Sequence, residues 1–219
     1  LKTIYLDKEN NMFIHAIENG ERNEMITKFP NMFAILYDYA SDKEKQDIME
    51  HVMLNDKIEK ITTPYMRFYE LETLCMMGYQ SKVLDEMKDY WGGMLKEGAT
   101  TFWEKYNPNE KGTQHLAMYG RPYGKSLCHA WGASPIYLIG KYFLGVQPTK
   151  PGYERYTIKP SLGGLEWMEG DVPTPFGKIH VQMNQQEISV YSDGGQGTLF
   201  INGKEIAIPP HQEITINYE

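Results

Sequence analysis

Apolar residues recur at helical spacing through roughly the first two thirds of the chain and at alternate positions through the last third. Residues 1 to about 145 therefore read mainly as helices, and residues from about 152 onward as strands. Asn31 to Ala40 reads as a short apolar-rich helix after Pro30. Ser41-Asp42-Lys43-Glu44 is a capping box that opens a helix with Ile48, Val52 and Met53 on one face. Thr62-Thr63-Pro64 starts another, with Phe68, Leu71, Leu74 and Cys75 on one stripe and Gly78 as its stop. Ser81 begins the next, with Leu84, Met87 and Trp91 spaced along it. Ser134-Pro135 pairs an N-cap with Pro at the first helical position, and this helix runs through Ile139, Tyr142 and Phe143 to Gly145. Short turns between helices predict antiparallel neighbours packed in pairs.

The period changes across Val146-Gln147-Pro148-Thr149-Lys150-Pro151-Gly152, a stretch whose Pro and Gly residues suit a domain boundary. Beyond it, Arg155 to Lys159 and Lys178 to Met183 alternate. Asn202-Gly203 between Gly197–Ile201 and Lys204–Ile208 is a two-residue hairpin signal. Gln212 to Tyr218 supplies a last strand, and the set predicts a β-sandwich. No internal repeat is visible.

Composition narrows the function. The 219 residues carry 29 acidic and 22 basic side chains, for a net charge of −7, without a basic run. That argues against nucleic acid as a partner. No apolar run approaches a membrane span, so no membrane role is read. Cys75 and Cys128 fit no metal or redox spacing and read as buried free thiols. His15, His51, His115, His180 and His211 show no ligand spacing, so neither a metal nor a cofactor is indicated. Sixteen Tyr and four Trp suit sugar binding, although Tyr is also common at plain interfaces. The chain opens on Leu1 and enters mid-pattern, which reads as a piece of a longer protein.

Two clusters join carboxylate, imidazole and aromatic groups: Gly98-Ala99-Thr100-Thr101-Phe102-Trp103-Glu104 and Ser126-Leu127-Cys128-His129-Ala130-Trp131-Gly132. Aromatic rings suit the apolar face of a sugar, and carboxylates suit its hydroxyls and an attacking water. Taken alone, Glu104 reads as a surface carboxylate near a helix start, Trp103 as core, His129 as a satisfied helix histidine and Tyr65 as packing. The two clusters together resemble the bacterial α-L-rhamnosidases of glycoside hydrolase family 78. Thr62 to Phe68 is similar to a pocket-rim segment of that family, and Pro148 to Pro160 to the lead into its last domain.

The resemblance implies a multi-domain α and β chain. Residues 1–147 would be the C-terminal half of an (α/α)6 catalytic barrel of the six-hairpin glycosidase type, and 148–219 a small C-terminal β-sandwich. It implies an inverting glycosidase that releases terminal α-L-rhamnose, with Glu104 as general base and His129, Trp103 and Tyr65 as substrate-binding residues. The general acid would lie upstream, so the isolated chain would be inactive. It would also self-associate or need its missing N-terminal part. Degradation of external plant glycans would suggest a periplasmic or extracellular location. Two other readings stay open: a different (α/α)6 carbohydrate-active enzyme, whether glycosidase or phosphorylase, and a non-catalytic carbohydrate-binding or structural piece.

Overall fold

The structure, a computed structural model, describes residues 2–218. The described chain contains helices and three β-sheets. It divides into two compact units. One is built from the chain up to Met77 together with Tyr90–Gly132, the other from Gly78–Asp89 together with the chain from Ala133 onward.

The first unit departs from the helical expectation at its start. After the single turn α1 (Lys2–Tyr5), strands β1 (Leu6–Asp7), β2 (Met12–Glu18) and β3 (Glu21–Ile26) form an antiparallel sheet in the order β1-β2-β3. The β2–β3 hairpin turns on Asn19-Gly20, both at positive φ (52° and 86°), the geometry an Asn-Gly turn favours. Phe13 and Ile14, successive residues of β2, are both buried. Asn31 ties it down: its side chain bonds both the N–H and the carbonyl of Phe13, each at 2.9 Å.

Helix α2 (Lys28–Leu36) begins three residues ahead of the predicted Asn31. Pro30 fits its first turn because the N–H it lacks would have had no intrahelical partner there. Helix α3 (Asp42–Ile48) opens on the predicted capping box, with Ser41 Oγ accepting from Glu44 N–H and Glu44 accepting from Ser41 N–H. It runs on into a π-helical turn, Met49–Met53. Helix α4 (Pro64–Met76) starts after Thr63 and ends at Gly78, φ +86°. It packs on α2 through the buried pair Lys28–Glu70, 2.6 Å apart, while the Thr73 hydroxyl donates to Tyr69 O at 2.8 Å and lies 3.5 Å from Met32 O.

Helix α5 (Gln80–Lys96) places Val83, Met87, Tyr90, Trp91 and Met94 on one buried stripe at helical spacing. It ends in a Schellman turn: Gly98 sits at φ +88°, its N–H donates to Leu95 O, and Ala99 N–H reaches back to Met94 O. From Glu97 to Ala133 the backbone is irregular apart from short 3₁₀ turns at Gly112–Leu116 and Ala130–Gly132.

In the second unit, α6 (Ser134–Leu138) has Pro135 in its first turn and continues as a π-helical turn, Ile139–Phe143. Gly145, φ +79°, then turns the chain so tightly that a Cβ there would stand 2.1 Å from Lys159 O. Eight strands follow: β4 (Val146–Pro148), β5 (Arg155–Ile158), β6 (Trp167–Thr174), β7 (Gly177–Asn184), β8 (Glu187–Ser192), β9 (Gln196–Ile201), β10 (Lys204–Ile208) and β11 (Ile214–Asn217). They form two four-stranded sheets, β10-β9-β5-β4 and β11-β8-β7-β6, with β5 and β9 as a parallel pair in the first. Alternate residues are buried: Ile179, Val181 and Met183 on β7, Ile188 and Val190 on β8, Tyr156 and Ile158 on β5. Strand β10 of one sheet approaches β8 of the other. The hairpin predicted at Asn202-Gly203 is present, with both residues at positive φ (50° and 73°).

Candidate functional site

The two clusters singled out in the sequence lie side by side in the first unit. His129 N–H donates to Phe102 O at 2.8 Å, and Glu104 N–H donates to Ser126 O at 2.9 Å. The Thr101 hydroxyl donates to Leu127 O between them. The close approach needs Gly132, where a Cβ would meet Trp103 O at 2.9 Å and Phe102 Cβ at 3.1 Å. Helix α5 holds this pair of segments from below. Trp91 Nε1–H donates to Gly132 O at 2.7 Å. Tyr90 Oη donates to Thr62 O at 2.8 Å and accepts from Tyr106 N–H at 3.1 Å. Burial pushes the Tyr90 phenol up to about 12.

Glu104 therefore sits on a braced loop and not near a helix start. Its carboxylate is gripped from two directions. Tyr119 Oη donates to Oε1 at 2.6 Å, and Ser126 N–H donates to Oε2 at 3.0 Å. The Tyr119 hydrogen bond is the main cause that holds the carboxyl below the usual range. The Ser126 N–H adds to it, partial burial opposes it, and His129 and Lys125 lower it further through their charge. Each carboxylate oxygen keeps a second acceptor position, enough to hold a water.

His129 is partly exposed and meets Trp131 edge-on, ring centroids 5.5 Å apart. Trp131 lies 4.7 Å from Tyr65, and Tyr65 meets Tyr69 edge-on at 5.7 Å. Tyr65 and His129 thus join through Trp131, whose side chain is 63 % exposed. Trp103 faces the other way: it is 5 % exposed and packs 5.9 Å from the buried ring of His115. Cys128 corrects an expectation, since its side chain is exposed while Cys75 is buried. The reading by pattern overlooked Tyr119 and the Ser126 N–H, and treated Trp131 only as part of a cluster. A Tyr-Gly pair at 119–120 and the aromatic density around His129 were the available signals.

Comparisons with known proteins bear on the family and the fold of this chain. The family described as "Bacterial alpha-L-rhamnosidase C-terminal domain" matches residues 145–192. Several of its relatives are α-L-rhamnosidases. An α-L-rhamnosidase of Alteromonas sp. (strain LOR) is 36 % identical over 99 residues, covering 42 % of this chain and 10 % of that protein. A GH78-family rhamnosidase of Bacillus sp. GL1 superposes with a TM-score of 0.69 at 28 % identity, over 87 % of this chain and 19 % of that one. A Streptomyces avermitilis α-L-rhamnosidase, solved in complex with L-rhamnose, shares the fold with a TM-score of 0.66 at 14 % identity, over 91 % of this chain and 19 % of that one. The chain spans about a tenth of the sequence relative and about a fifth of each of these two solved structures.

Proposed function

We propose that this chain belongs to a glycoside hydrolase that removes terminal α-L-rhamnose with inversion, and that Glu104 is its general base. The observation that carries the reading is the Glu104 carboxylate, fixed from two sides on a loop bonded to the His129 segment. An inverting enzyme needs a carboxylate that takes a proton from water as the water attacks the anomeric carbon opposite the leaving group. The general acid comes from chain outside these residues and stands roughly 6.5–9.5 Å from the base, the spacing that leaves room for that water.

In this reading His129 bonds a sugar hydroxyl, since an imidazole nitrogen can donate or accept. Tyr65, joined to it through the Trp131 ring, lines the sugar's apolar side. Trp103 acts from the core, orienting Glu104 by anchoring the preceding residue. Residues 1–147 supply half of an (α/α)6 barrel and 148–219 a β-sandwich. Exposed apolar side chains such as Leu95 and Met76, 69 % and 48 % exposed, suit a surface awaiting partner helices or a second copy. The substrate is a rhamnose-containing carbohydrate.

The test is Glu104→Gln in the full-length protein that carries this chain, assayed for release of rhamnose from an aryl α-L-rhamnoside. Glutamine keeps shape and hydrogen-bonding capacity but cannot take the proton. We expect kcat to fall at least about a hundredfold, within the range for loss of a general base, with substrate affinity little changed. Wild-type kcat in this variant would remove Glu104 from the reaction.

A further inference from the structure

Tyr119 reaches Glu104 by an unusual route. Residues Met118–Arg121 form a tight turn, closed by reciprocal backbone bonds of 3.0 and 2.9 Å. Tyr119 and Gly120 occupy its tip, both at positive φ (54° and 72°). A non-glycine residue in the left-handed region is uncommon and tends to be held there by its surroundings. The base of the turn is pinned by Lys125 N–H to Leu116 O and by Gly124, where a Cβ would stand 2.3 Å from Met118 O. The Tyr119 ring is otherwise 75 % exposed, so no packing accounts for its direction. Its one polar contact among the described residues is the 2.6 Å bond to Glu104 Oε1.

We propose that Tyr119 is a positioning residue for the general base: its hydroxyl fixes the plane of the Glu104 carboxylate. The inference rests on the reading of Glu104 as base. The geometry divides the labour on the carboxylate. The Ser126 N–H, part of the backbone, clamps Oε2, and the Tyr119 phenol, on a separate turn, clamps Oε1. With both oxygens held, the remaining lone pairs point in set directions, and a water bound there meets the sugar at one angle and not a range of them. Besides these two donors, the charged or titratable groups acting on Glu104 are His129 and Lys125. Both favour its ionised form and both remain when Tyr119 is changed. Tyr119 acts through Glu104 and not on the sugar, so its loss falls on kcat and spares KM.

The experiment is the pH–rate profile of Tyr119→Phe beside wild type and Glu104→Gln, all in the full-length protein with an aryl α-L-rhamnoside. Phenylalanine keeps the ring and loses only the donor. Without it, protonation of Glu104 is easier, so the acidic limb of kcat/KM should move to higher pH. At the acidic end we expect a loss of at least about threefold beyond any change on the plateau, which corresponds to half a pK unit. KM and the thermal midpoint should stay near wild type. If Glu104→Gln is inactive but the acidic limb of a folded Tyr119→Phe does not move, Tyr119 has no positioning role and the assignment of Glu104 stands. If Glu104→Gln is active, the base assignment fails and this inference falls with it. A raised KM with an unmoved limb would make Tyr119 a substrate contact and overturn the proposal. Gly120→Ala, which strains the turn while keeping the phenol, should reproduce a weaker form of the same limb shift. A Gly120→Ala profile identical to wild type in the presence of a shifted Tyr119→Phe would argue against the turn as the aiming device.

Discussion

The segment from Glu97 to Gly132 and the segment from Val146 to Asn217 hold their shapes by opposite means. In the β region the backbone satisfies itself: strand pairs such as β6–β7 and β7–β8 run in unbroken register, and alternate side chains form the core. In the loop region the backbone is held largely by side chains and by isolated backbone contacts. Trp91, Tyr90 and Thr101 each bond a main-chain group, and Glu104 accepts from Ser126 N–H. The difference shows where chemistry can be built. A strand sends successive side chains to opposite faces at fixed intervals, whereas an irregular loop can turn a carboxylate, an imidazole and a phenol toward one place. The cost is that each brace in the loop is a separate side chain with no ladder behind it.

The sharpest way to break this comparison is to damage the region that should be robust. Ile188→Ala on β8 removes a fully buried side chain between sheet neighbours. We expect a loss of about 2–5 kcal/mol in chemical denaturation, the usual range for such a truncation. Kinetics of the surviving folded molecules should be unchanged. A loss well below 1 kcal/mol would mean that the two sheets do not share a tightly packed core.

Next in size is Trp91→Phe. It leaves Gly132 O without its donor beneath the site loops. We expect about 1–3 kcal/mol, the cost of an unsatisfied buried acceptor. The distribution matters more than the sum. Hydrogen exchange should quicken across 100–132 and stay unchanged across 167–201. Uniform quickening would show that the loop region does not depend on individual braces.

Legibility in the sequence follows the same division. The chain carries two Asn-Gly hairpins of the same backbone geometry, at Asn19-Gly20 and Asn202-Gly203. The second was readable because Leu199 and Ile201 before it and Ile206 and Ile208 after it alternate with other residues. The first was hidden because β3 is polar along most of its length and a register shift between Ile14 and Ala16 breaks the period of β2. Strand β6 escaped for a related reason: Gly170 and Pro173 interrupt it, and Pro173 is tolerated because β6 is an edge strand. Helix starts at Ser41 and Thr63 were legible because their signals are local: a capping box at the first, Pro64 in the first turn at the second. Of the site, Glu104 and His129 could be picked out as motif members. Tyr119 could not, because its bond to Glu104 depends on a turn whose direction no hydrophobic period encodes.

The finest test applies one perturbation to both regions. Gly98 and Gly203 sit at φ +88° and +73°, and at both positions a Cβ would meet nothing within 4 Å. Alanine at either site therefore meets no steric clash and suffers only the backbone cost of the left-handed conformation, about 1–2 kcal/mol, partly offset by a less flexible unfolded chain. The two variants should lose similar stability, about 1 kcal/mol each, in thermal or chemical unfolding. Their effects on the reaction should differ. Gly203→Ala strains a hairpin whose strands are already paired on both sides of the turn, so activity should match wild type. Gly98→Ala strains the residue that ends α5 and sends the chain into Ala99–Glu104, so the loop that carries the carboxylate should absorb part of the shift. A severalfold fall in kcat for Gly98→Ala alone, at matched stability, would tie the helix stop to the placement of Glu104. Equal activity in the two variants would mean that Trp91, Tyr90 and Ser126 hold the loop in place whatever the helix end does.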